Sequence, residues 1–131
     1  MNRDPEDLVR TFWGLVWLRG EVDLIGDLLA DPYVRHWVEG SQSLTRAQYS
    51  DRIADALDRS KPVSVNIDAL DVCGDHVWTR ISSTRVAVAT HQTMAVTWMQ
   101  QHRIADGLIA ETWTLYETGL QWASSQWRDF G

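Results

Sequence analysis

The hydrophobic period of this chain changes once, at Lys61-Pro62, and that change restricts the folds open to it. Upstream, apolar residues recur at helical spacing; downstream they alternate. Asp4 is placed to cap a helix whose first residue is Pro5, a position where the missing N–H costs nothing. Leu8, Phe12, Leu15 and Val16 mark one face of that helix, Val9, Trp13 and Trp17 widen it, and Gly20 is a natural stop. A second, shorter helix is predicted over 21–29, ending before Asp31-Pro32, and YVRHWVEG reads as a short strand or extended piece. Thr45 and Gln48 form a T-x-x-Q capping box that opens a third helix with Tyr49, Ile53 and Leu57 on one face.

After the change, VSVNIDALDV, HVWTRISSTRVAVA, TMAVTWMQQHRI and LIAETWTLYE are four strand-length runs. They are separated at Cys73-Gly74-Asp75, near His91, and at Asp106-Gly107. Three helices followed by a four-stranded antiparallel meander predict an α+β domain with the helices on one side of a curved sheet. We expect one domain over 1–131, its core at about 5–117. The tail 118–131 keeps two Trp and a Phe, and we expect it to pack on its own sheet or on a partner's.

With 131 residues, 44% of them hydrophobic, the chain suits a single core that needs no disulfide or metal. Eleven Arg and one Lys against thirteen Asp and five Glu leave a net charge of −6, which argues against general nucleic-acid binding. No apolar run approaches the ~20 residues that span a bilayer. MNRDPEDLVR is too acidic for a signal peptide, so a cytoplasmic location is expected. Cys73 is the only cysteine and no motif surrounds it. Eight Trp point either to an aromatic-lined cavity or to a filled core plus an oligomer interface.

HRIADGLIAETW reads as a hairpin with two possible registers. If Asp106-Gly107 is a plain two-residue turn, position 102 faces 111, and His102 and Glu111 share a face. If the loop carries one extra residue, as in a type I turn with a G1 bulge, the register slips, Arg103 shares that face with Glu111 and His102 points the other way.

The order of elements, with FWGLVWLRGEVDLIGDLLADPYVRHWVEG, GDHVWTRI and HRIADGLIAETWTLYE, resembles the nuclear transport factor 2-like superfamily and, within it, the SnoaL-like group. The resemblance runs from about residue 8 to 117. It implies a cone-shaped α+β barrel, often a homodimer through the outer sheet face, with a pocket between helices and concave sheet. It also implies a structural Arg103–Glu111 pair. The superfamily holds cyclases, isomerases, dehydratases, epoxide hydrolases and plain binding modules, so fold alone does not name a reaction. SnoaL-type cyclases commonly carry His before and Asp after the Trp of the last strand; here those positions are Thr112 and Thr114, and a hydroxyl cannot replace a carboxylate near neutral pH. The epoxide hydrolase pattern of Arg with two inner Asp is also missing around Arg80.

The resemblance places His36 at the pocket mouth, as the expected acid/base. His102 and Tyr49 would assist, and Arg80 would bind developing negative charge or else pair with Asp68 or Asp71. Trp13, Trp17, Tyr33, Trp37, Trp98, Thr112, Thr114 and Tyr116 are the expected ligand-binding wall. No ligand set of metal-site spacing occurs. The expected function is therefore cofactor-free acid/base chemistry (isomerisation, dehydration, cyclisation or hydration) on a small apolar metabolite, in a homodimer. The alternative is a non-catalytic ligand-binding or dimeric interaction module.

Overall fold

The computed structural model describes residues 3–119 and 122. Helix α1, Pro5–Thr11, opens as its sequence predicts, with the Asp4 carboxylate accepting from the Asp7 amide. It does not continue as one α-helix to Gly20. Phe12–Trp17 forms a π-helical turn, and Leu18 N–H reaches back five residues to the Trp13 carbonyl. This wide turn brings Trp13 and Trp17 together, ring centroids 6.0 Å apart, over the sheet. The expected helix at 21–29 is also shorter: a 3₁₀ turn at Val22–Leu24 leads into α2, Ile25–Leu28. Leu29 is already extended and pairs with Ile109 of the last strand. Helix α3, Arg46–Arg59, has both halves of the capping box, Gln48 N–H to Thr45 Oγ1 at 3.1 Å and Thr45 N–H to Gln48 Oε1 at 2.9 Å.

The described residues form a six-stranded sheet, where the sequence offers four runs and the short YVRHWVEG strand. The six are β1 (Leu29–Trp37), β2 (Gly40–Leu44), β3 (Ser60–Cys73), β4 (His76–Ala87), β5 (Thr93–Ala105) and β6 (Leu108–Thr118), in the order β2-β1-β6-β5-β4-β3. The four-run meander is present, and β1 adds to it parallel to β6, carrying β2 as the edge. The YVRHWVEG segment is thus the inner half of a hairpin, and GSQSL, which lacks apolar alternation, is its partner. The sheet stays open, and bulges in β3 near Pro62 and Ile67 help it curve.

One face of this sheet meets the helices. Leu8, Val9, Phe12, Val16, Ile25, Leu28 and Ile53 pack against Val77, Ile81 and Ile109 to form the core. The other face carries Trp78, Met99, Trp113 and Leu115, each more than a third exposed. Of the tail, only Thr118, Gly119 and Trp122 are described. The Trp122 indole donates to the Ile81 carbonyl at 3.2 Å; the rest of the tail's expected packing lies outside the described residues.

Candidate functional site

A cavity of about 470 Å³ opens between the π-helical turn, α3 and the concave sheet face. Strand alternation builds its wall: Tyr33, Arg35 and Trp37 from β1, Arg85 from β4, Trp98 and Gln100 from β5, and Thr112, Thr114 and Tyr116 from β6. Trp13 and Trp17 come from the π-helical turn, Tyr49 and Arg52 from α3. All eight residues expected to form the wall therefore line it, as does Tyr49. Trp13 donates its indole N–H to Gln100 Oε1 at 3.2 Å, and Gln100 in turn donates to Thr114 Oγ1 at 3.1 Å. Trp13 and Trp98 lie 5.1 Å apart. Four of the eight Trp thus face the cavity, while Trp78, Trp113 and Trp122 belong to the other side of the sheet.

A hydrogen-bonded line runs from the cavity into the core. The Tyr33 hydroxyl is 2.5 Å from Thr112 Oγ1, and Thr112 Oγ1 is 2.7 Å from His102 Nδ1. His102 is fully buried beneath the wall, and its Nε2 has no partner among the described residues. Burial pulls its pKa down to about 3, so the ring is neutral. The tautomer of the ring sets which of His102 Nδ1 and Thr112 Oγ1 donates. The Tyr33 hydroxyl donates to Thr112 Oγ1, and both side chains line the cavity. Burial raises the Tyr33 pKa, helped by Tyr49 nearby and offset in part by Thr112 and Arg35. Tyr49, its ring edge-on 5.0 Å away, is likewise raised by burial. Both tyrosines are therefore neutral donors.

The charged members of the wall are ones the sequence reading missed. Arg35 lies over the Tyr49 ring at 5.2 Å, and Arg52 donates to Gln42 Oε1 at 2.6 Å. Arg85 is only 7% exposed; it donates from Nε to Ser60 Oγ at 2.9 Å and from Nη2 to the Ser60 carbonyl at 3.2 Å. Its guanidinium sits 5.9 Å from the Trp17 ring, and burial lowers its pKa. No Asp or Glu lines the cavity among the described residues. The signal was available: Val77 and Ile81 set the buried parity of β4, and Arg85 shares it.

Arg80 has the opposite parity. It is exposed on the outer face, lies 6.0 Å from the Trp122 ring and makes no ion pair with Asp68 or Asp71 among the described residues. Asp68 instead bonds the Ser82 hydroxyl. Arg80 is thus removed from any role inside the cavity.

His36 lies at the cavity mouth as expected and contributes to the lining, but alternation turns the imidazole toward the outer face, opposite Tyr33 and Arg35. There it stacks on Trp113 at 5.1 Å and holds Glu111 Oε2 at 2.5 Å and Ser41 Oγ at 2.6 Å. Arg103 donates to the other Glu111 oxygen at 3.0 Å. The bond from His36, with that from Arg103 behind it, lowers the Glu111 pKa.

The register follows from the hairpin. Asp106 and Gly107 both have positive φ, 53° and 75°, as a two-residue type I′ turn requires, and Ala105 pairs with Leu108. The pairing then slips: Ile104 faces Ile109, but Arg103 faces Glu111, so Ala110 is a bulge. The turn of the first alternative thus coexists with the register of the second. His102 and Glu111 lie on opposite faces. His36, His102 and Tyr49 are not brought together: one is turned outward at the mouth, one lies beneath the wall and one in it. No group of three or more His, Cys, Asp or Glu suited to a metal occurs among the described residues.

The SnoaL-like domain model matches residues 9–112. The chain belongs to the SnoaL-like family. Among solved structures, IdmH of Streptomyces antibioticus, named as a proposed polyketide cyclase, is 17% identical; the match covers 88% of this chain and 93% of IdmH with a TM-score of 0.71. A Catenulispora acidiphila protein with a ketosteroid isomerase-like fold, in complex with trimethylamine, is 21% identical over 86% of each chain, TM-score 0.71. A Bacillus subtilis protein named as a proposed isomerase is 13% identical over 85% of this chain and 84% of that one, TM-score 0.74. At these identities the likeness establishes the SnoaL-like fold. No protein of curated function matches significantly.

Proposed function

We propose that this SnoaL-like protein is an enzyme that binds a small, largely apolar molecule in the cavity and performs acid/base chemistry at an oxygen of that molecule, which the Tyr33 hydroxyl polarises. The observation that carries this reading is the line Tyr33–Thr112–His102, which holds two hydroxyls at the wall of an aromatic cavity. The Tyr33 hydroxyl turns from Thr112 to a substrate oxygen, and a donor held where negative charge develops stabilises an enolate or alkoxide, typically by ~10²–10³ in rate. Isomerisation and cyclisation through an enol are the reactions such a donor serves best, with solvent water taking the proton from carbon and returning one to the product. Tyr33 is the group that touches substrate; Thr112 and His102 position it.

The test needs no natural substrate. α-Proton exchange of 2-tetralone in D₂O, followed by NMR, should be faster with the protein than in buffer. Tyr33→Phe should lower that acceleration by ~10²-fold while 2-tetralone still quenches tryptophan fluorescence. Binding without accelerated exchange would support a second reading, ligand binding without turnover. That reading is favoured by one observation: no carboxylate lines the cavity among the described residues to take a proton from carbon.

A homodimer is part of the same proposal, joined through the outer face. Its support is the row of exposed apolar side chains, Trp78, Met99, Trp113 and Leu115, beside the His36–Glu111–Arg103 cluster.

A further inference from the structure

We propose that the cavity's ligand carries an oxyanion, a carboxylate or phosphate, and that Arg85 is the residue that receives it. This rests on the reading of the cavity as a small-molecule site and adds the charge of the molecule.

The chain as a whole carries a net charge of −6, yet the described cavity lining holds Arg35, Arg52 and Arg85 and no Asp or Glu. Arg85 decides the matter. Arg85 is 7% exposed as a residue, and a charge partly withdrawn from water gains from an anionic partner. Ser60 supplies two neutral oxygens to Nε and Nη2, and neither carries charge. Among the described residues Nη1 has no hydrogen-bond partner, and the residue opens onto the cavity rather than onto a carboxylate.

The planar fork of an arginine fits carboxylate and phosphate oxygens. Arg85 lies against Trp17, which stacks on Trp13, which meets Trp98. An aromatic or polycyclic body against these rings would therefore put an acidic substituent at Arg85. Arg35 and Arg52, less buried, add to the same field from β1 and α3.

The experiment titrates the full-length protein with 2-naphthoate, 2-naphthyl phosphate and neutral 2-naphthamide, read by tryptophan fluorescence. At least one anion should bind about tenfold more tightly than the amide, and the tighter of the two identifies the oxyanion. Arg85→Met should abolish the preference while holding 2-naphthamide affinity within about twofold, whereas Arg85→Lys keeps part of it. Arg35→Met, at the less buried part of the wall, should reduce the preference about threefold and guards against misfolding of the Arg85 variants. Equal affinity for all three probes, or a folded Arg85→Met with its preference intact, overturns the oxyanion and leaves the cavity reading standing. If none of the three binds, the small-molecule reading falls and the oxyanion with it.

Discussion

His102 carries the clearest pH consequence of any single residue. Its folded pKa of about 3 lies below the ordinary value of 6.5, so between those values the unfolded chain takes a proton that the folded chain refuses. Its contribution is therefore complete above about pH 6.5 and is lost as the pH falls toward 3, at up to about 1.4 kcal/mol per pH unit. His102→Gln should flatten this part of the stability–pH curve, measured by urea denaturation between pH 7 and 4. An unchanged slope would mean that the ring is charged in the folded state. At this scale the sequence was readable wherever parity was anchored by apolar neighbours. Tyr33, Thr112 and Thr114 fall on the cavity side because Ile81, Val96 and Trp98 fix which face is buried. Arg80 was misplaced, and the direction of the His36 ring at the cavity mouth was not legible, because a polar residue in a strand has no apolar preference of its own to reveal its face.

Among the elements, the β5–β6 hairpin governs which face each of these groups occupies. Its type I′ turn needs positive φ at Asp106 and Gly107. Asp tolerates that region, whereas a Cβ at Gly107 meets the following carbonyl, at about 1–2 kcal/mol. Gly107→Ala should lower the urea midpoint accordingly. Deleting Ala110 tests the bulge itself: it removes the extra residue and leaves Arg103 opposite Glu111 and His102 opposite Thr112. Both pairs keep their faces, and the strand loses only its local kink. The deleted form should therefore retain a cooperative urea transition, and loss of that transition would show that the bulge is needed for more than register. The D-G turn is written plainly in the sequence, but a bulge at Ala110 is not, since no glycine or proline marks it. Strand β2 escaped for a related reason: GSQSL lies on the sheet edge with only Leu44 buried. The π-helical turn was also hidden, because FWGLVW satisfies an α-helical face almost as well.

For the whole molecule, the two sides of the sheet imply two kinds of contact. The concave side meets its own helices, and among the described residues no helix or strand covers the outer face. Light scattering at micromolar concentration should give about 30 kDa, twice the 15.0 kDa chain, and Trp113→Glu should shift it toward the single chain without changing 2-tetralone binding. A wild-type mass of 15.0 kDa would defeat the dimer. The overall architecture could be read from the switch in period and the resemblance. The joining of β1 to β6 could not, because a parallel pairing between distant segments leaves no local trace. No helix among the described residues is long and apolar enough to cross a membrane.

Strand β6 gives these two sides to alternate residues of one ribbon: Thr112, Thr114 and Tyr116 to the interior, Glu111, Trp113 and Leu115 to the exterior. Heredity can therefore edit them separately. A lineage that substitutes the even positions changes what the protein recognises, and one that substitutes the odd positions changes how it associates. Such a division lets descendants acquire a new ligand without first surrendering their shape.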